Sequence, residues 1–124
     1  MTTHNDLLAG QVALITGAGR GLGRQIALAF ARAGADIVAT ARTKAQVEDT
    51  TREIKALCRR ALSIVTDVTQ EDQVRAMTDQ ALKEFGQVDI LVNNAGMSVY
   101  GSFVEQQAAD WRAMIETNLM GTIF

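Results

Sequence analysis

The stretch VALITGAGRGLG, Val12 to Gly23, decides the fold. Its first five residues are apolar or β-branched and predict a short buried strand, and four glycines follow at every second position from Gly17. From Leu22 onward apolar residues recur at helical spacing. Glycines at such a strand-to-helix junction let the backbone turn tightly and approach a ligand. The unpaired N–H groups at the start of the helix favour a pyrophosphate, so the segment predicts nucleotide binding.

The spacing of these glycines excludes two common phosphate-binding motifs. The strict G-x-G-x-x-G pattern fails because positions 22 and 24 are Leu and Arg, and a P-loop fails because no Gly-Lys-Ser/Thr follows. The chain instead has Gly17-x-x-x-Gly21-x-Gly23 directly after a strand. A flexible glycine turn without function is the alternative, and the position at the first strand–helix junction favours nucleotide binding over it.

The rest of the chain alternates strands and helices. Further short apolar strands are predicted at Ile37–Thr40, Leu62–Thr66 and Val88–Val92. The predicted apolar helix faces are Leu22, Ile26 and Phe30; Val47, Ile54 and Leu57; Val74, Met77, Ala81 and Phe85; and Trp111, Ile115 and Leu119. Gly34 is predicted to end the first helix, Thr43 to open the second with a capping box, and Thr69 to cap the third. The pattern predicts an α/β fold, a Rossmann-type doubly wound parallel sheet, with about four strands and four helices forming its amino-terminal half.

Composition limits the chain to one domain, residues 1–124, and excludes several functions. The 48% hydrophobic and 21% charged fractions are globular, and no proline or charge run marks a linker. A net charge of −2 predicts neither nucleic-acid nor membrane-surface binding, and no apolar run approaches the ~20 residues of a membrane span. MTTHNDLLAGQ does not read as a signal peptide, so a cytoplasmic protein is expected. Cys58 is the only cysteine and His4 lies in a polar tail, so no metal site is expected.

Two arginines indicate which dinucleotide the fold would bind. In NAD-binding folds an acidic residue about 20 positions after the glycines binds the ribose 2′-hydroxyl. Here that position holds Thr40-Ala41-Arg42, without a carboxylate, and Arg42 suits a 2′-phosphate, as does Arg20 in the glycine loop. Both arginines could be ordinary surface charges. The pair favours NADP, with NAD as the alternative.

Polar residues also follow the third and fourth strands, at the edge where ligands bind in such sheets. Asp67 follows the third strand, and Asn93-Asn94-Ala95-Gly96 follows the fourth. Asp67 could instead serve turn chemistry, and the NNAG segment could be an ordinary turn.

At this point the chain resembles the short-chain dehydrogenase/reductase family, in particular its oxoacyl-carrier-protein-reductase-like members. TGAGRGLG at 16–23, Asp67-Val68, NNAG at 93–96, and Asn118-Leu119 before Gly121 carry the resemblance, which runs from about Leu8 to the last residue. It implies an NAD(P)-dependent oxidoreductase that interconverts a small-molecule carbonyl and alcohol, and a homo-oligomer at full length. The implied cofactor contacts are Gly17, Arg20, Gly21, Leu22, Gly23, Arg42, Asp67, Val68, Asn94, Ala95 and Gly96. Thr16 and Asn93 would brace neighbouring strands. Asn118 would be the first member of an Asn-Ser-Tyr-Lys catalytic group, although an Asn that bonds backbone is the alternative.

The chain departs from the family at the remaining catalytic residues. Val104, not lysine, stands four positions after Tyr100, the only tyrosine, and Ser98 and Ser102 come too early for the catalytic serine. The expectation is therefore a domain truncated before the Ser/Tyr/Lys segment, inactive alone, whose fourth strand and last helix lack partners. A non-catalytic dinucleotide-binding module and a methyltransferase-like sheet that binds an adenosyl ligand are the alternatives.

Overall fold

The computed structural model describes residues 6–97 and 106–124. His4, Ser98, Tyr100, Ser102 and Val104, all considered above, lie outside the described residues.

Four parallel strands form the sheet in this part of the chain. They are β1 Val12–Thr16, β2 Asp36–Ala41, β3 Ala61–Val65 and β4 Ile90–Val92, in the order β3-β2-β1-β4. The chain moves outward from β1 to β3 and then crosses back to place β4 on the other side of β1. This reversal confirms the doubly wound Rossmann-type fold, and it opens a crevice at the carboxyl ends of β1 and β4.

The helices are α1 Gly21–Arg32, α2 Lys44–Ala56, α3 Glu71–Phe85, α4 Ala108–Met114 and α5 Gly121–Ile123, with a π-helical segment at Ile115–Met120 between the last two. Of the two predicted N-caps, Thr43 has the predicted position without the predicted capping box, and Thr69 is wrong. Thr43 is the N-cap residue of α2, but its side chain makes no capping bond. Gln70, not Thr69, is the N-cap residue of α3, because Thr69 bonds Asp67 instead. Gly34 follows the end of α1 with φ +104°, as the predicted helix end requires.

Two apolar layers cover the sheet. On one face β1 and β2 pack against α1 and α2 through residues such as Ile15, Ile37 and Ile54, which are fully buried. On the other face Leu14 and Val38 pack against Val74 and Met77 of α3. Side chains alternate between these layers because successive strand residues point to opposite faces.

The predicted apolar face of α1 is wrong at Leu22, which is 70% exposed. The residues that α1 buries against the sheet are instead Gly23, Ala27, Leu28 and Ala31. Small residues at three of these positions let the helix lie close to β1 and β2. The predicted Ile26 and Phe30 are partly buried and pack against the same core.

Candidate functional site

A cleft of about 410 Å³ lies at the carboxyl ends of the strands, a volume within the usual range for small-molecule sites. Nine of the predicted cofactor residues line it: Gly17, Arg20, Gly21, Arg42, Asp67, Val68, Asn94, Ala95 and Gly96. Leu22, Gly23 and Asn118 do not. The cleft also has lining residues that the sequence did not identify: Gly19, Thr40, Ala41, Thr43, Gln46, Thr66 and Thr117.

The glycine loop is so tightly packed that a side chain would not fit at Gly17, at Gly19, where a Cβ would lie 2.9 Å from Gln46 Cβ, or at Gly23. Gly17 has φ +64°, and a Cβ there would lie 2.9 Å from Asn94 Nδ2 and 3.0 Å from Ala95 Cα. A Cβ at Gly23 would overlap the carbonyl of Gly17 and the amide of Asn94. Gly23 is therefore a packing residue beneath the loop, which explains why it does not line the cleft.

Thr16 joins the glycine loop to the segment after β4. Its Oγ1 accepts hydrogen bonds from the N–H groups of Asn94 (3.0 Å) and Ala95 (2.9 Å) and donates to the Val92 carbonyl (3.4 Å). Asn94 Nδ2 in turn donates to the Gly17 carbonyl at 3.1 Å. The bracing predicted for Asn93 is thus made by Asn94. Asn93 instead lines a second, mainly apolar cavity between the sheet and α3.

The start of α1 presents positive charge and N–H groups to the cleft. Arg20 is the N-cap residue in an extended conformation, and no side chain caps the helix. Arg20 and Arg42 both line the cleft and are exposed, and the six ion pairs found among residues 6–97 and 106–124 involve neither. The electrostatics of this end of the cleft therefore suit an anion.

Asp67 supplies the opposite charge across the cleft. Its Oδ1 accepts hydrogen bonds from the Thr69 hydroxyl (2.6 Å) and the Thr69 N–H (3.0 Å). The hydroxyl bond lowers the pKa of Asp67 most; partial burial opposes this, and the Thr69 N–H and the Arg42 charge add to the lowering. The carboxylate is therefore ionised at neutral pH and can accept hydrogen bonds from a ligand.

Two buried hydroxyls in the cleft have no hydrogen-bond partner. Thr40 and Thr66 are 1% and 2% exposed, and the Oγ1 atoms of both lack a partner within the described residues. Leaving a buried hydroxyl unpaired costs about 1–3 kcal/mol. Both threonines line the cleft at the ends of β2 and β3, so this wall of the cleft contains two hydroxyl groups whose hydrogen-bonding capacity the described residues do not use.

Asn118 lies in the π-helical segment, a helix form that is frequent at functional sites. Its Oδ1 accepts from the Met97 N–H and its Nδ2 donates to the Met97 carbonyl, both at 2.8 Å. The Asn118 side chain therefore bonds backbone, as the alternative interpretation of this residue expects. Its partner is Met97 in the loop after β4 and not a residue of its own helix. Neither Met97 nor the pairing could be found from sequence spacing.

Two other features were not found among the described residues. Among them no helix is long and apolar enough to cross a membrane. In residues 6–97 and 106–124 there is also no group of three or more His, Cys, Asp or Glu side chains placed to hold a metal ion.

A profile of the short chain dehydrogenase family matches residues 11–124. The chain belongs to this family. The assignment overturns the methyltransferase-like alternative.

Among curated relatives, this short-chain dehydrogenase chain is 42% identical over 112 residues to the (2S)-[(R)-hydroxy(phenyl)methyl]succinyl-CoA dehydrogenase subunit BbsD of Thauera aromatica, covering 90% of the chain and 45% of the relative. It is 35% identical to the 3-oxoacyl-[acyl-carrier-protein] reductase FabG of Thermotoga maritima, covering 92% and 46%. The chain therefore spans about half the length of the curated relatives it matches.

Solved structures of family members agree with the fold and include dinucleotide complexes. A short chain dehydrogenase/reductase from Burkholderia phymatum in complex with NAD superposes with a TM-score of 0.90 at 36% identity, covering 94% of this chain and 42% of that one. An alcohol dehydrogenase from Thermococcus sibiricus complexed with 5-hydroxy-NADP gives 0.87 at 33% identity, covering 91% and 48%. A nicotinamide dinucleotide is thus the cofactor class of the family, with both NAD and NADP forms represented.

Proposed function

We propose that this short-chain dehydrogenase chain binds NADP(H) in the cleft, as the cofactor-binding part of an oxidoreductase that interconverts a carbonyl and an alcohol. The observation that carries the proposal is that Arg20 and Arg42 both line the cleft beside the glycine loop, and that no carboxylate lies between Thr40 and Thr43. Arginine binds phosphate through several N–H groups at once, which favours the 2′-phosphate of NADP over the hydroxyl of NAD. NAD is the alternative cofactor.

Each part of the cleft has a role in this proposal. The N–H groups at the start of α1, where Gly21 lines the cleft, bind the pyrophosphate. Asp67 accepts a hydrogen bond from the adenine amino group, and Val68 packs against the ring. Asn94, Ala95 and Gly96 line the adenosine side of the cleft. Gly96 also packs closely against Asn118, since a Cβ at this position would lie 3.2 Å from Asn118 Oδ1. When bound, the nicotinamide supplies or accepts the hydride.

Asn118 is the catalytic residue that we propose within this chain. Its side chain makes one hydrogen bond through Oδ1 and one through Nδ2 to Met97, which fixes its orientation, and we propose that Asn118 supports a water that relays protons. The chain contains no Tyr-x-x-x-Lys motif that would supply the proton. Proton transfer from a positioned group typically contributes about 10²–10⁴-fold to a rate, so we propose that the 124-residue chain alone binds the cofactor without turnover. A non-catalytic binding module is the alternative function.

The remaining proposals follow from the family. The substrate of the full activity is a small-molecule carbonyl or alcohol, the full-length protein forms a homo-oligomer, and its location is cytoplasmic. Nucleic acid and membranes are not proposed as partners, in keeping with the net charge of −2.

Titration of the chain with NADPH and NADH by calorimetry tests the proposal. NADPH should bind more tightly, and Arg42→Asp should shift the ratio of the two affinities toward NADH by about tenfold to a hundredfold, the value of a lost hydrogen bond between charged groups. Arg52→Asp makes the same charge change on α2, outside the cleft, and should leave the ratio unchanged. A ratio that does not move with Arg42→Asp would show that Arg42 is a surface residue. Binding of neither nucleotide would overturn the proposal.

A further inference from the structure

Helix α2 holds the glycine loop through one buried threonine. Thr50 is fully buried in α2, and its Oγ1 lies 2.9 Å from the Ala18 carbonyl oxygen, to which it donates. The other acceptor within its reach, the Gln46 carbonyl one helical turn back, is more distant at 3.2 Å. The hydroxyl has a single proton, so the shorter bond to the loop is the favoured one.

Arg24 fixes the direction of that hydroxyl. Its Nη1 donates to Thr50 Oγ1 at 3.1 Å, which occupies a lone pair and leaves the proton for Ala18. Arg24 is itself held from α2 by Asp49 at 3.1 Å and Glu53 at 2.7 Å, and its side chain is only 19% exposed. The ion pairs thus orient the arginine, and the arginine orients the threonine.

Anchoring the Ala18 carbonyl also sets the direction of the next N–H group. The carbonyl of Ala18 and the N–H of Gly19 belong to one planar trans peptide, so they point in opposite directions. Because the carbonyl points to α2, the Gly19 N–H points away from α2, and Gly19 lines the cleft. The Ala18 N–H is fixed as well, by the Thr40 carbonyl at 3.0 Å. No acceptor for the Gly19 N–H is found within the described residues.

We propose that Thr50 is a positioning residue for phosphate binding. It holds the Ala18–Gly19 peptide so that the Gly19 N–H is presented to the pyrophosphate of the ligand. The inference rests on the proposed function for the identity of that ligand, but the orientation of the peptide is a property of the chain without ligand.

The chain offers a matched control one residue along the same helix. Thr51 is also buried, at 5% exposure, and its Oγ1 donates to the Glu48 carbonyl at 2.9 Å within α2. Thr50→Val and Thr51→Val therefore remove the same hydroxyl from the same helix, and only the first removes a bond to the glycine loop. Thr50→Ser keeps the hydroxyl and should restore the behaviour of the native chain.

Binding of two ligands separates positioning from a general structural effect. Thr50→Val should weaken NADPH about tenfold, the value of about one neutral hydrogen bond, whereas Thr51→Val should stay within about twofold of the native chain. Adenosine 2′-monophosphate carries no pyrophosphate, so its affinity should be unchanged in both variants. Equal weakening of both ligands, or failure of Thr50→Ser to restore NADPH binding, would overturn the inference.

Amide hydrogen exchange in the unliganded chain tests the same inference independently of the proposed function. The Ala18 amide, which donates to the Thr40 carbonyl, should exchange about tenfold faster in Thr50→Val than in Thr51→Val, because the loop opens locally without the bond from Thr50. Should Thr50→Val not fold, Arg24→Met removes the orienting donor and should increase exchange at the same amide. Unchanged exchange there would overturn the inference. If the variants show the exchange effect but the native chain binds no NADPH, only the proposed function is contradicted.

Discussion

Asp67 shows how a single side chain can be prepared for a ligand by its neighbour. Its carboxylate accepts two hydrogen bonds from Thr69, and the Thr69 hydroxyl has the largest effect on its lowered pKa. Thr69 does not cap α3, since Gln70 occupies that position. The sequence identified Asp67 as a ligand-facing residue. Whether Thr69 caps α3 or bonds Asp67 depends on the geometry of the turn, which the sequence does not give.

Thr69→Val should raise the pKa of Asp67, because it removes the hydroxyl that contributes most to the lowering. NMR titration of the Asp67 side chain in both chains measures the difference. Because the folded-state pKa lies below the ordinary value, the stability that Asp67 contributes is present at neutral pH and is lost as the pH falls through the folded-state pKa. The native chain should therefore lose more stability than Thr69→Val on acidification, and equal losses would contradict the assignment.

Adjacent residues of one motif can have different roles that the sequence does not separate. NNAG was predicted to lie at the ligand edge, and the structure places it there, but Asn94 makes the bonds expected of Asn93. Spacing locates a motif on an element. The side of the chain on which each side chain lies depends on where the strand ends, and a shift by one residue exchanges the two sides.

Among the elements, the end of α2 carries a backbone conformation that does not suit its residue. Cys58 follows the last turn with φ +62°, the only non-glycine residue with positive φ in the described part of the chain. The corresponding position after α1 is Gly34, with φ +104°, and the residue that ends α3 is Gly86, with φ +76°. The left-handed region costs an L-residue roughly 1–2 kcal/mol, whereas glycine adopts it readily.

Cys58→Gly should therefore stabilise the chain by about 0.5–1 kcal/mol, the strain relieved being offset in part by the greater entropy of glycine in the unfolded state. Urea unfolding followed by circular dichroism measures the change. Leu57→Gly is the control, because Leu57 has φ −87° and gains nothing from glycine, and it should destabilise. Stabilisation by both substitutions, or by neither, would contradict the explanation.

The reverse substitution tests the same rule at the end of α3. Gly86→Ala should destabilise by about 1 kcal/mol, because a Cβ there meets no atom within 4 Å and only the backbone conformation opposes it. Gly23→Ala should be far more disruptive, because its Cβ would overlap the Gly17 carbonyl and the Asn94 side chain. If the two substitutions lower the free energy of unfolding by similar amounts, the contacts at Gly23 do not contribute to stability.

At the scale of the whole molecule, the sheet and its order of elements could be predicted from the sequence. Short apolar runs and helical periodicity each gave the right kind of element, and β1 was predicted with its observed bounds, Val12–Thr16. The glycine positions then located the cleft. What could not be predicted depends on contacts between elements: the bond from Thr50 to Ala18, the hold of Asn118 on Met97, and the close approach of Gly121 to Val68. Such contacts have no periodicity, so only the folded chain shows them.

The distribution of apolar surface leads to a prediction about the chain as a whole. Leu91 on β4 is 58% exposed, and Ile115 and Leu119 on the helical segment after α4 are 52% and 55% exposed. Leu91 also lines the apolar cavity of about 320 Å³ that Ile123 and Phe124 border, so the exposed surface is continuous with that cavity. Contiguous apolar patches and unpaired strand edges promote association.

The 124-residue chain should therefore self-associate increasingly with concentration, which sedimentation velocity measures directly. Leu91→Lys combined with Ile123→Lys should shift the chain toward monomer, because both residues border the apolar cavity and the two charges resist burial in an interface. Leu7→Lys introduces a charge at a leucine that is 76% exposed and distant from the patch, and it should leave association unchanged. A native chain that stays monomeric at every concentration would contradict the prediction. Equal loss of association in Leu7→Lys would show that net charge, and not this apolar face, controls the assembly.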